Sequence, residues 1–292
     1  MRPPDRSQLH PCRYVAIGDS FTEGVGDLSK HLPNGVRGWA DRVAEGLAKS
    51  APGWQYANLA VRSKRLRQIV AEQLQPALEM RPTLVTVYAG GNDILDVGTR
   101  MPALLDDYEA LVARVAETGA TVVLFTGFDI PVSVLLRPFE RRNRLYNERV
   151  RRVARDYGAV LVDYWAFDVY RDRRMWAPDR MHMSKAGHKY LAKRVLDILG
   201  VAPMADAAQR SRTPPRAFGE WLRAQREWTH DWVLPLMHRK MQGTTLGDSL
   251  QPRWPTPVVG PPHGGLRRLV RSGPTEHLDI PPAEPAAGDA AP

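Results

Sequence analysis

Residues Arg13-Tyr14-Val15-Ala16-Ile17-Gly18-Asp19-Ser20-Phe21-Thr22-Glu23-Gly24 decide the fold. Tyr14 to Ile17 is an uninterrupted apolar run closed by Gly18, the pattern of a strand buried on both faces. Ser20 then stands at the carboxyl end of that strand, where the chain turns toward a helix. Gly18 permits a tight turn. A helix start offers N–H groups beside the Ser20 hydroxyl, and these can hold a developing oxyanion. A serine here also serves as a plain helix cap, so this segment alone leaves both readings open.

Outward from this run, strands and helices alternate. Trp54–Ala60, Thr83–Tyr88, Thr121–Phe125 and Val160–Val162 read as four further strands. Between them, helical spacing of apolar residues marks 38–49, 66–78, 102–117 and 139–157, with a last helix from Ser184 to Leu199. Such alternation predicts a three-layer α/β/α fold around a five-stranded parallel sheet. In these sheets the site lies beyond the carboxyl ends of the strands, near the switch in strand order.

Two more segments fall at such places. The third strand ends in Ala89-Gly90-Gly91-Asn92-Asp93, where the glycines permit close approach and the Asn92 amide can face an oxyanion. A simple Gly-Asn turn has the same appearance. Asp179-Arg180-Met181-His182 precedes the last helix. A carboxylate and an imidazole three residues apart can share a cavity, His182 taking a proton from Ser20 and Asp179 orienting the ring. An ordinary loop histidine is the competing reading. The chain order Ser, Asp, His joins the three segments, while the G-x-S-x-G elbow is absent because position 22 is Thr.

Four blocks together resemble the SGNH hydrolases, the GDSL-type esterases and lipases. They are Gly18-Asp19-Ser20, Asn58-Leu59-Ala60-Val61-Arg62-Ser63, Gly90-Gly91-Asn92-Asp93 and Asp179 to His182, spread over roughly residues 13 to 200. The resemblance implies a flavodoxin-like fold and an acyl-enzyme mechanism without metal or cofactor. Ser20, Asp179 and His182 would be catalytic. The Ser20 N–H, the Ser63 N–H and the Asn92 side chain would form the oxyanion hole, with Asp19, Gly90 and Gly91 in support. Ser63 departs from the family's usual glycine, and Arg62, Lys64 and Arg65 are expected to crowd it with charge. His188, in the Gly-His that follows the last block, reads as structural.

The chain divides into an extension over 1–12, the hydrolase-like domain over 13–203, a Trp-rich helical extension over 204–243 and a tail over 244–292. The Trp-rich stretch 218–242 carries Trp221, Trp228 and Trp232 and fits core packing, a lid or membrane contact. The tail is dense in Pro and Gly and is expected to be disordered. It contains Gly247-Asp248-Ser249-Leu250, a literal GDSL, but no strand pattern precedes it and no D-x-x-H follows it.

The chain has 292 residues with 41 Lys and Arg against 32 Asp and Glu, a net charge of +9. The excess is spread along the chain, including the Arg-rich helix 139–157, as in a solvated basic surface, and nucleic acid is not expected as a partner. Cys12 is the single cysteine, which excludes an internal disulfide. No secretory leader or transmembrane run is recognisable, so a cytoplasmic location is expected. The leading functional reading is hydrolysis of a small-molecule or glycolipid ester. An acyltransferase to a sugar or lipid acceptor and a catalytically dead binding module on the same fold are the alternatives.

Overall fold

The computed structural model describes residues 12–128, 137–204 and 244–270, together with 223, 226–235 and 238. Residues 1–11 of the expected extension over 1–12, most of the Trp-rich segment, and residues 271–292 lie outside the described residues.

Strand β1 (Arg13–Gly18) lies at the centre of the sheet, pairing in parallel with β2 (Gln55–Asn58) and β3 (Leu84–Tyr88). Beyond β3 follow β4 (Thr121–Phe125) and β5 (Val160–Val162), again in parallel. The order β2-β1-β3-β4-β5 is the flavodoxin-like one, with its switch point between β1 and β3. Successive β1 residues point to opposite faces. Tyr14 and Ala16 enter one core with Trp39 and Val43 of α2 (Trp39–Ser50) and Leu191 of α8 (Lys185–Ile198). Val15 and Ile17 enter the other, with Tyr108 of α6 (Met101–Ala116) and Tyr146 of α7 (Arg137–Asp156). Burial of a side chain such as Val15 or Ile17, both fully enclosed, contributes about 1.5–3 kcal/mol.

The tail departs from expectation. Residues 244–270 are structured, and they add a sixth strand, β6 (Trp254–Val259), antiparallel to β2 at the edge of the sheet. The sheet is therefore mixed and six-stranded rather than purely parallel and five-stranded. Pro255 and Pro257, which read as disorder signals in the sequence, are compatible with a strand at an edge, where no further neighbour needs their missing N–H. Trp254 is buried, and Leu266, just before α9 (Arg267–Val270), is fully enclosed in the same core as Trp39.

A buried polar network fixes this segment in place. Arg253 is fully enclosed; its Nη1 donates to the Glu23 carbonyl at 2.8 Å and its Nε to the Pro33 carbonyl at 3.0 Å. Its Nη2 lies 2.7 Å from Asp41 Oδ2, a close ion pair rather than an aligned hydrogen bond. Asp41 also accepts from the Tyr56 hydroxyl at 3.0 Å. Gly247 presses on the Arg62 carbonyl so closely that a Cβ there would sit 2.0 Å from the oxygen.

Among the described residues no helix is long and apolar enough to cross a membrane.

Candidate active site

β1 ends at Gly18, whose φ is +152° and where a Cβ would meet the Tyr88 carbonyl at 2.5 Å, so only glycine fits. Gln73 satisfies both backbone groups of Gly18, accepting from its N–H at 2.8 Å and donating to its carbonyl at 2.9 Å. Gln73 reaches the strand end from a π turn, Val70–Leu74, set between α3 (Leu66–Ile69) and α4 (Gln75–Glu79). Such turns concentrate at functional sites.

Asp19 caps the next element, α1 (Ser20–Glu23), by accepting from the Phe21 N–H at 3.0 Å. Its other oxygen accepts from Asn92 Nδ2 at 3.2 Å. Burial pushes the Asp19 carboxyl up to about 7, against the pull of the Phe21 N–H. Ser20 follows at the first helical position.

Asp179 and His182 stand on a loop closed by a bridge between Trp176 and Met183 and by the Ala177 N–H donating to the His182 carbonyl at 2.8 Å. Asp179 Oδ1 accepts from the N–H groups of Met181 and His182 at 2.9 and 3.0 Å. Its Oδ2 lies 2.6 Å from His182 Nδ1, and His182 Nε2 lies 3.0 Å from Ser20 Oγ. With the ring proton on Nδ1 facing the carboxylate, Nε2 is left to accept from the Ser20 hydroxyl. Burial works against charge on Asp179, but the hydrogen bonds from the His182 ring and the two N–H groups prevail and hold its carboxyl below the usual range. The structure thus brings Ser20, His182 and Asp179 into one hydrogen-bonded relay.

Asn92 belongs to α5 (Gly91–Ile94), which begins at the end of β3, across the switch point from Ser20. Its amide nitrogen also donates to the Lys64 carbonyl at 3.0 Å. Asp93, beside it, accepts from the Leu66 N–H at 2.9 Å and anchors the start of α3. Ser63 adopts φ +66°, the left-handed region where glycine is the relaxed residue. It does not line the cleft.

The charge expected around Ser63 is drawn off by acidic partners. Glu23, fully buried, binds the Arg62 guanidinium at 2.8 Å and the Arg62 N–H at 2.7 Å. Lys64 pairs with Glu72 at 2.7 Å and Arg65 with Asp96 at 2.8 Å. His188 borders the cleft, but its Nδ1 accepts from the Trp39 N–H at 3.2 Å and its Nε2 donates to the Val25 carbonyl at 3.0 Å. Burial pushes it down to about 3, so it stays neutral and holds two backbone segments together.

The literal GDSL segment takes no part in this arrangement. Ser249 is exposed, and Asp248 closes a local turn by accepting from the Thr245 N–H and hydroxyl, each at 2.6 Å.

Ser20, His182 and Asn92 open onto a cleft of roughly 130 Å³. Leu95, Phe128, Phe139, Tyr164, Trp176 and Met181 make much of its wall, so a mainly apolar group is accepted beside the nucleophile. Among the described residues no group of three or more His, Cys, Asp or Glu is arranged to hold a metal ion.

Sequence reasoning missed Gln73, Glu23 and Arg253, because each acts through contacts far along the chain.

Comparison with known proteins places these features in a wider set. The model of the GDSL-like Lipase/Acylhydrolase family matches residues 16–190. A GDSL esterase/lipase of Oryza sativa subsp. japonica, WDL1, is 26% identical over 208 residues, covering 63% of this chain and 78% of its own length. Axe2, an acetylxylan esterase from Geobacillus stearothermophilus, superposes with a TM-score of 0.56 at 21% identity, covering 67% of this chain and 97% of its own. LAE5, an alpha/beta hydrolase enzyme from the metagenome of Lake Arreo, Spain, gives 0.56 at 25% identity, covering 66% and 97%.

Proposed function

Because the chain belongs to the GDSL-like Lipase/Acylhydrolase family, and is by class a carboxylic ester hydrolase, we propose that it cleaves short-acyl esters through an acyl-enzyme formed on Ser20. The observation that carries this reading is the unbroken relay Ser20–His182–Asp179, with contacts of 3.0 and 2.6 Å, at the mouth of a cleft on the switch point of the sheet.

The chemistry follows from the geometry. His182 Nε2 takes the hydroxyl proton as Ser20 Oγ attacks the ester carbonyl, and Asp179 stabilises the resulting imidazolium. The carbonyl oxygen becomes an oxyanion. The Ser20 N–H and the Asn92 amide, both on the cleft, are the donors assigned to it, while the Ser63 N–H, implied by the family resemblance, stands off the cleft wall. Both Asn92 hydrogens are engaged in the free site, so the longer contact, to Asp19, is the one exchanged for the oxyanion. His182 then protonates the leaving alcohol. In the second half it activates water, which releases the carboxylic acid and restores Ser20.

The apolar wall and modest volume of the cleft favour a short acyl group, with the alcohol part extending outward. Axe2 is named for action on acetylated xylan, so acetylated sugars are the first natural substrates to test, with small aryl esters and lipid esters beside them.

A panel of p-nitrophenyl esters of rising chain length, run with acetylated sugars, tests the proposal. Ser20→Ala is expected to lower kcat by about 10⁴-fold or more, because the members of such a relay act as a unit. Ser249→Ala is expected to change nothing. Labelling of Ser249 rather than Ser20 by an organophosphonate would overturn the assignment.

A further inference from the structure

Trp228 lies well beyond residue 190, where the family match ends, yet it touches the acid–base loop directly. Its indole Nε1 donates to the Asp179 carbonyl at 2.8 Å, and its side chain is largely buried at 9% exposure. Its ring also stacks against the next residue, with the Arg180 guanidinium carbon 5.2 Å from the ring centroid. Arg180 itself adopts φ +60°, the left-handed region that a non-glycine residue enters only at a cost. The loop between Asp179 and His182 is therefore a strained turn held by contacts, and Trp228 supplies two of them to consecutive residues.

We infer that Trp228 is a positioning residue: through the Asp179 carbonyl and the Arg180 guanidinium it clamps the strained turn that aims the Asp179 carboxylate at His182. The inference rests on the proposed function, since only with His182 as the base does this aim matter. It also gives the Trp-rich extension a task that core packing alone does not describe. A carbonyl fixed from outside fixes the Asp179 backbone, and the backbone sets where the carboxylate meets Nδ1 at 2.6 Å. When that contact loosens, the imidazolium formed during attack loses its counter-charge, and the loss falls on the transition state rather than on ester binding.

The full chain carrying Trp228→Phe or Trp228→Ala tests this. Trp228→Phe keeps a ring over Arg180 but loses the N–H. One hydrogen bond of about 1 kcal/mol corresponds to roughly a fivefold drop in kcat. Trp228→Ala removes both contacts, and a drop of about ten- to thirtyfold in kcat is expected, with KM within about twofold. A less well aimed Asp179 stabilises His182 in its protonated form less. The acid limb of kcat/KM is therefore expected to move to lower pH in Trp228→Ala and, by less, in Trp228→Phe. Asp19 and His188 also face His182 and are not held by Trp228, whereas Arg180 is; Arg180→Gln in the Trp228→Phe background therefore separates any effect of a released Arg180 charge on the limb from the aim of Asp179.

Wild-type kcat and an unmoved acid limb in Trp228→Ala would overturn the inference. So would a loss of kcat with the limb in place, which marks packing alone. Should the alanine variant fail to fold, the phenylalanine variant carries the same comparison. Failure of the functional reading shows elsewhere, as absence of ester turnover and of Ser20 labelling in the unsubstituted chain.

Discussion

Arg253→Met is the perturbation that best tests how the C-terminal strand is joined to the site. The arginine side chain and its partner Asp41 are both fully buried. Removing the guanidinium leaves Asp41 charged and enclosed, with the Tyr56 hydroxyl at 3.0 Å and the Gly38 N–H at 3.3 Å as its remaining donors. The Glu23 and Pro33 carbonyls lose their donor as well. Breaking a buried pair from one side costs about 3–5 kcal/mol, a large part of the 5–15 kcal/mol that holds a typical domain together. With a urea slope near 3 kcal/mol/M, the unfolding midpoint is expected to fall by about 1–2 M. Methionine matches the length of the arginine stem, so the loss reports the charge and its hydrogen bonds rather than a cavity. Adding Asp41→Asn removes the orphaned charge and is expected to restore part of the midpoint. A midpoint within 0.3 M (about 1 kcal/mol) of the parent in urea would refute the reasoning, and so would a second substitution that deepens the loss. Deletion from residue 245 onward removes this same pair together with β6. It is therefore expected to destabilise the chain, contrary to the disordered tail that composition alone predicts.

Three further outcomes follow from the site. Ser63→Gly relaxes a left-handed residue and is expected to leave esterase activity intact and stability within about 1 kcal/mol, whereas Ser63→Val places a β-branched side chain at φ +66° and is expected to lose about 1–2 kcal/mol in urea unfolding. Asn92→Ala is expected to remove about 2.7–4 kcal/mol of transition-state stabilisation, read as a fall in kcat with little change in KM; near-parental kcat would take Asn92 out of the mechanism. Asp19 has a folded-state pKa raised from 3.8 to about 7, so its contribution to stability is full below about pH 4 and is lost as pH rises through 7, a difference on the order of 4 kcal/mol; Asp19→Asn is expected to flatten the decline in stability between pH 4 and 8.

What was legible in the sequence is what local pattern can encode. The run from Tyr14 to Gly18 carries its own evidence: four apolar residues buried on both faces and a glycine where the backbone must turn against Tyr88. The segments holding Asn92 and His182 each sit within a few residues of a strand end or helix start, but each alone also reads as an ordinary turn or loop, and only their combination with Ser20 singles them out. The parallel strands follow from that alternation, whereas their flavodoxin-like order was implied only by the resemblance to the SGNH hydrolases. β6 was hidden by its own composition. Pro255 and Pro257 forbid a central strand but suit an edge, and whether a strand lies at an edge is a property of the whole sheet. The cations at Arg62, Lys64 and Arg65 look like crowding when read in a row, yet Glu72, eight residues from Lys64, and Glu23 and Asp96, further off in sequence, draw them away.

The same reasoning explains why the least legible residues are the ones that join segments. Glu23 occupies the last position of the short helix that Ser20 begins. Its carboxylate holds the Arg62 N–H, one residue before Ser63, while its carbonyl takes the Arg253 guanidinium from the C-terminal segment. A displacement at Arg253 is therefore passed, through one buried residue, to both the nucleophile helix and the backbone beside Ser63. Trp228 does the equivalent on the opposite side, at Asp179. Residues 16–190 contain every group assigned to the chemistry, yet two segments outside them reach the neighbourhoods of the strained positions, Arg253 through Glu23 beside Ser63 at φ +66° and Trp228 at Arg180 with φ +60°. Strain of this kind persists only where surrounding contacts over-determine it. In this chain those contacts come mainly from Glu23 and Asn92 around Ser63 and from the Ala177–His182 pairing around Arg180, and the C-terminal segments add to them through Arg253 and Trp228.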